Sequence, residues 1–166
     1  MMTSPGVPLI FQGQECLEDR WFHDDDPIEW WRRDAYPGNV QLYGDLIRLR
    51  RNWYDNTRGL RGRHVNVYHV NNWDKVLGYH RWDHGGAGDD VVVIANFSHR
   101  TFPDYRIGFP REGRWSLRLN TNARVYDPEF GACDVFDAWS NDDGCDGLPH
   151  SGTLNLPPYS ALVYSQ

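Results

Sequence analysis

Apolar positions along the chain fall into two spacings and one unbroken run. The run is Val7–Phe11, set between Pro and Gly, and it reads as a short, fully buried strand of a parallel sheet. The polar turn Gln12-Gly13-Gln14-Glu15 follows it. Val40, Leu42, Tyr43, Leu46, Ile47, Leu49 and Trp53 then recur at helical spacing. They predict a helix that starts near Asn39, with Asn39 as N-cap after Gly38, and ends near Trp53–Asn56.

Beyond residue 57 the pattern shortens to that of strands. Val65–Val70 and Lys75–Trp82, on either side of the turn Asn71–Asp74, read as a hairpin. Val91–Phe97 is the most apolar segment and is expected at a sheet centre. Asp104–Phe109 and Arg114–Leu119 are two further strands around Pro110–Gly113. Residues 120–152 are rich in Asn, Asp and Gly and read as a long loop holding short strand pieces. Thr153–Leu156 and Ala161–Tyr164, around Pro157-Pro158, close the chain. The expected fold class is mainly β. Residues 57–166 form an antiparallel β-sandwich, and residues 1–56 form a strand–loop–helix unit before it.

Composition narrows the function classes. The 166 residues fit one ordinary domain with a real core, and the formal net charge of −6 is spread along the chain. Arginines cluster only at Arg48–Arg63, where they read as a solvated helix face, so no nucleic-acid footprint is expected. No stretch is long enough to span a bilayer, and Pro5 and Pro8 break any signal-peptide pattern, so no membrane partner is expected. Cys16, Cys133 and Cys145 lack metal-ligand spacing and fit reduced thiols in the cytoplasm, with a Cys133–Cys145 disulfide as the alternative for an exported chain. The seven His form no metal set, and Asn141–Gly147 lacks the spacing and terminal Glu of a calcium loop. No metal or cofactor is expected.

Candidate chemistry gathers in one loop. Glu15, Glu18, Asp19, Asp24, Asp25, Asp26 and Glu29 form the densest acidic stretch, and a glycoside hydrolase needs two carboxylates about 5–9.5 Å apart across a sugar. Glu15 and Glu18 are the fallback catalytic pair. The plainer reading of the stretch is a solvated acidic loop. Trp21, Trp30 and Trp31 lie among these carboxylates, close to Gln14. Flat rings beside amides and acids are what a sugar-binding cleft requires, although such rings also fill cores.

The segment PGVPLIFQGQE resembles the eighth-strand motif of the α-amylase superfamily, glycoside hydrolase family 13, and its GQE ending is most similar to 1,4-α-glucan branching enzymes. The Trp-rich loop, LIRLRR, TRGLRGRHVNVYHVN, KVLGYHRW, DVVVIANFSHRT and PPYSALVYSQ follow in the order of that family's last barrel helix and C-terminal all-β domain. The resemblance implies that residues 1–56 are a remnant of the last unit of a (β/α)8 barrel and that residues 57–166 are the C-terminal domain. A whole barrel needs about 250 residues. The family's three catalytic carboxylates follow its fourth, fifth and seventh strands, and nothing here matches those motifs.

The expected function is therefore that of the C-terminal part of an α-glucan-active enzyme, non-catalytic alone, with Gln14, Trp21, Trp30 and Trp31 as carbohydrate contacts. The alternatives are a small glycoside hydrolase using carboxylates of loop 15–29, and a carbohydrate-binding or oligomerisation module. The expected partners are an α-glucan and, through the apolar segment 7–11, a second copy of the chain.

Overall fold

A computed structural model describes residues 1–166. Eight antiparallel strands make the body: β1 His64–Asn71, β2 Val76–Trp82, β3 Val91–Asn96, β4 Phe102–Phe109, β5 Gly113–Asn120, β6 Ala138–Asn141, β7 His150–Leu156 and β8 Ser160–Ser165. They run in the order β1-β2-β3-β8-β5-β6-β7-β4. The sheet curls at β5. Gly113–Trp115 of that strand pair with β6, whereas Ser116–Asn120 pair with β8 across a register shift between Leu117 and Leu119. A bulge of this kind bends a strand and lets it pass from one layer to the next. The result is the expected two-layered antiparallel sandwich.

The hairpin β1–β2 forms as the alternation predicts, with Asn71 opposite Val76. Asn71 Oδ1 accepts the N–H groups of Trp73 (3.1 Å) and Asp74 (3.0 Å), which closes the turn. β3 lies between β2 and β8, the middle of five strands in its layer, and Val91, Val92, Val93 and Ile94 are buried. Unbroken burial on both faces explains its unbroken apolar sequence. One face joins Ile107, Phe109, Trp115, Leu154, Leu156, Leu162 and Tyr164 between the layers. The other joins Leu49, Leu60, Leu119 and Val163 beneath the helix. β4 and β5 are sequence neighbours but not partners, since β4 crosses to the edge beside β7. The stretch 120–152 holds one four-residue strand, β6, and the first three residues of β7.

The first 56 residues depart from expectation at four points. Val7–Phe11 is not a buried strand. It is irregular, with Val7 97% and Leu9 74% exposed. No strand lies alongside to pair with its backbone, so apolar sequence alone does not make it a strand. The predicted helix is α2, Pro37–Arg50, and a further short helix, α1 Trp31–Ala35, lies in the stretch expected to be loop. Pro37 has no N–H to leave unpaired and takes the first helical position, so α2 begins before Asn39. Asn39 is thus no N-cap, and its Nδ2 donates instead to the carbonyls of Glu15 (2.8 Å) and Gln14 (3.3 Å). The helix also stops at Arg50, short of Trp53–Asn56. Asn52 and Asp55 both adopt φ of 54°, a left-handed conformation that ends a helix.

Two arginines fasten the start of the chain to this frame. Arg50 Nη1 donates to the Ser4 carbonyl at 2.6 Å. Arg81, fully buried, donates to the carbonyls of Thr3 (2.5 Å), Leu60 (3.2 Å), Gly62 (2.6 Å) and His64 (3.0 Å). Four backbone dipoles satisfy this charge in place of a carboxylate.

Candidate functional site

The acidic loop is organised by arginine. Glu18 Oε1 accepts Arg20 Nε at 3.0 Å, and Glu18 Oε2 accepts the Glu29 N–H at 2.9 Å, which pins the two ends of the loop together. Arg20 also reaches the Pro27 carbonyl at 2.5 Å. Arg32, on α1, donates through Nε to Glu29 at 2.8 Å, through Nη1 to the Leu17 carbonyl at 2.8 Å, and through Nη2 to Asp19. The hydrogen bond from Arg20, then that from the Glu29 N–H, pull the Glu18 carboxyl down to about 2. Glu18 is ionised at neutral pH and both its oxygens are occupied.

This frame shapes a cleft of about 250 Å³, lined by Phe11, Gln14, Glu18, Trp21, Phe22 and His23 among others. Gln14 lies in a single 3₁₀ turn, Gln14–Cys16, entered through Gly13 at a φ of 83°. Its Oε1 accepts the Phe11 N–H at 2.9 Å, which brings the amide to the cleft wall. Phe11 and Phe22 meet edge to face, 5.3 Å between centroids. Trp21 is 83% exposed at the cleft edge.

The predicted residues are therefore only partly assembled. Gln14, Glu18 and Trp21 share the cleft, and Glu15, Trp30 and Trp31 do not line it. Trp30 and Trp31 stand exposed at the start of α1, with the Arg32 guanidinium 5.1 Å over the Trp31 ring. Glu15 Oε2 is buried without a hydrogen-bond partner. Its neighbour Cys16 is buried, and burial, then the Glu15 charge, push that thiol's pKa up, away from reactivity. No group of three or more His, Cys, Asp and Glu has the geometry to hold a metal ion. No helix is long and apolar enough to cross a membrane.

Sequence reasoning missed Arg20 and Arg32. The signal was present: two cations inside a dense acidic run are the partners that let those carboxylates pack closely.

Residues 67–166, more than half of the chain, match the family described as alpha amylase, C-terminal all-beta domain. The 1,4-alpha-glucan branching enzyme GlgB of Corynebacterium diphtheriae is 28% identical over 99% of this chain and 23% of its own length. That of Thermobifida fusca is 32% identical over 95% of this chain and 21% of its own. That of Burkholderia thailandensis is 34% identical over 97% and 20%. The chain thus spans about a fifth to a quarter of the length of the curated relatives it matches. Among solved structures, a pullulanase from Anoxybacillus sp. LM18-11 superposes with a TM-score of 0.60 at 17% identity, over 99% of this chain and 21% of that one. An alpha-amylase from H.orenii gives 0.50 at 14% identity, over 86% and 23%. These two likenesses concern the fold alone; by the family match, the chain belongs to the α-amylase C-terminal all-β domain family.

Proposed function

We propose that this chain serves as the C-terminal part of an α-glucan-active enzyme of the branching-enzyme type, with no catalysis of its own. In this reading residues 1–56 are the last unit of a barrel and residues 57–166 are the all-β domain. The loop 14–31 gives one wall of a glucan-binding cleft, where Gln14 contacts hydroxyls and Trp21 stacks on sugar faces, with Trp30 and Trp31 further along the same surface. The single observation that carries the reading is the cleft itself: an exposed Trp21 ring beside the Gln14 amide, on a loop locked by Arg20 and Arg32. Identity of 28–34% to branching enzymes across nearly the whole chain, that loop included, supports an α-glucan as the ligand.

A small stand-alone glycoside hydrolase is the poorer reading. Its acid would have to carry a proton at neutral pH, and Glu18 at about 2 does not. Free Cys16, Cys133 and Cys145 favour a reducing compartment, the cytoplasm. The exposed segment 7–11 is proposed as a self-association surface.

Affinity electrophoresis in glycogen, with reducing-sugar release from amylose measured in parallel, tests this reading. Retardation by glycogen is expected, weakened in Trp21→Ala, with no sugar release at any time. Turnover that vanishes in Glu18→Gln would sink it in favour of the hydrolase.

A further inference from the structure

At one end of the sandwich the strand registers place three turns side by side. Asn71 faces Val76, Val76 faces Asn96, and Asn96 faces Ser160. The β1–β2 turn, the β3–β4 loop and the β7–β8 turn therefore form one rim. Each carries an exposed aromatic ring: Trp73 at 89%, Phe97 at 66% and Tyr159 at 71%. With strands about 4.8 Å apart, the row spans about 12 Å.

The rim is tied together from below. Asn96 is buried, and its Nδ2 donates to the carbonyls of Arg100 (2.8 Å) and Pro157 (2.7 Å). Its Oδ1 accepts the Ser98 N–H at 2.9 Å. One amide thus holds the loops of Phe97 and Tyr159 in register. Arg100 Nη1 pairs with Asp74 at 3.0 Å and fixes the turn of Trp73 to its neighbour. Backbone bonds from Phe97 N to the Lys75 carbonyl (2.9 Å) and from Tyr159 N to the Ser98 carbonyl (3.0 Å) complete the ties. Tyr159 itself stands at a φ of 47°, a strained backbone for a bulky residue in a turn where glycine would fit without strain.

None of the three rings is buried in the core, yet each is exposed on a tethered turn. Exposed apolar rings on rigid loops mark a binding surface. Its charges choose the ligand. Asp74 and Arg100 neutralise each other, which leaves Lys75 as the one uncompensated full charge in the three turns. A nearly neutral row of rings among Asn72, Ser98 and His99 does not suit phosphate or nucleic acid. It suits a neutral chain with flat apolar faces and hydroxyl edges.

We propose that Trp73, Phe97 and Tyr159 form a second α-glucan-binding site, on the β-domain and separate from the loop 14–31 cleft. The α-linkage of the ligand rests on the function proposed above; the site itself rests on the rim.

The test is a titration of the ¹⁵N-labelled chain with maltoheptaose and, as a β-linked control, cellohexaose, following the indole N–H signals of Trp73 and Trp21. The Trp73 signal is expected to shift with maltoheptaose alone. Affinity at the rim is expected to fall about tenfold in Trp73→Ala and to weaken in Tyr159→Gly, a change that also relieves the strained φ and so keeps the fold. Shifts confined to Trp21 would overturn the rim site and leave the proposed function standing. Equal shifts with cellohexaose would overturn the α-glucan assignment. Shifts at neither residue would remove both. Rim variants that change only the size of assemblies would overturn the proposal and mark the rim as a protein contact.

Discussion

Glu18 shows how one residue can look catalytic and be architectural. It sits in an acidic stretch beside tryptophan, as a glycosidase acid would, but its two oxygens are spent on Arg20 and on the Glu29 N–H. Its lowered pKa makes a pH prediction with a definite sign. A carboxyl depressed in the folded loop adds stability above its unfolded value, the ordinary carboxylate range near 4.5, and loses that contribution as pH falls through its folded value of about 2. The loop clamp should therefore weaken between about pH 4.5 and 2, with no change from pH 6 to 8. Trp21 fluorescence followed against pH reads this. The variant Glu18→Gln should show the low-pH spectrum already at pH 7, because a neutral amide cannot hold both Arg20 and the Glu29 N–H as strongly. A wild-type spectrum in that variant would mean that Arg32, not Glu18, sets the loop.

Among the elements, α2 depends on a contact that no periodicity discloses. Gly38 lies in its first turn with the Tyr126 backbone pressed against it. A Cβ there would come 1.7 Å from the Tyr126 carbonyl oxygen. A second tie joins the same two elements, since Tyr126 Oη donates to Asp45 Oδ2 at 2.9 Å. Gly38→Ala must therefore push the 120–127 loop off the helix, although alanine is the better helix former. Overpacking of this kind costs about 1–3 kcal/mol, so a lowered urea midpoint with an unchanged m-value is expected. A midpoint equal to or above the wild type would show that the loop yields freely.

The same helix marks where sequence reading ends. Its apolar stripe was legible from Leu42, Leu46 and Leu49, which pack toward Leu60, Val91 and Val163. Its boundaries were not, because Pro37 and the left-handed Asn52 decide them locally. The strands were legible for a comparable reason. Alternation in β1 and β2, and the buried run of β3, follow from which faces meet the core. Their neighbours were not legible: nothing in Asp104–Phe109 says that β4 pairs with β7 rather than with β5. In the loop, residue type singled out Gln14, Glu18 and Trp21, which the fold gathers at one cleft. That Trp30 and Trp31 lie outside this cleft was not legible, because spacing along a loop carries no periodic geometry. The rim of Trp73, Phe97 and Tyr159 draws on turns 24 and 62 residues apart, and only the register of four strands brings them together.

On the scale of the whole molecule the least satisfied surface is the segment 7–11. Arg50 anchors the chain just before it, at the carbonyls of Ser4 and Gly6. Val7 and Leu9 then project into solvent, and Phe11, half-exposed, leads into the cleft. Irregular backbone whose N–H and C=O groups are unpaired from Val7 to Ile10, with adjacent apolar side chains, can take up another strand. Trp21, Phe22, Trp30 and Trp31 extend the exposed apolar surface along the same part of the chain. Assembly through 7–11 is the expected consequence. Light scattering of the purified chain should give a mass that rises with concentration, and Val7→Lys with Leu9→Lys should return it to one chain at all concentrations. Both residues are too exposed for these changes to disturb the core, so glycogen retardation through Trp21 and the maltoheptaose response of Trp73 should survive in the double variant. A wild type that stays a single chain at high concentration would remove the self-association surface. Assembly that persists in the double variant would move the contact to the aromatic rows, where loss of mass on Trp30→Ala or Trp73→Ala tells which one.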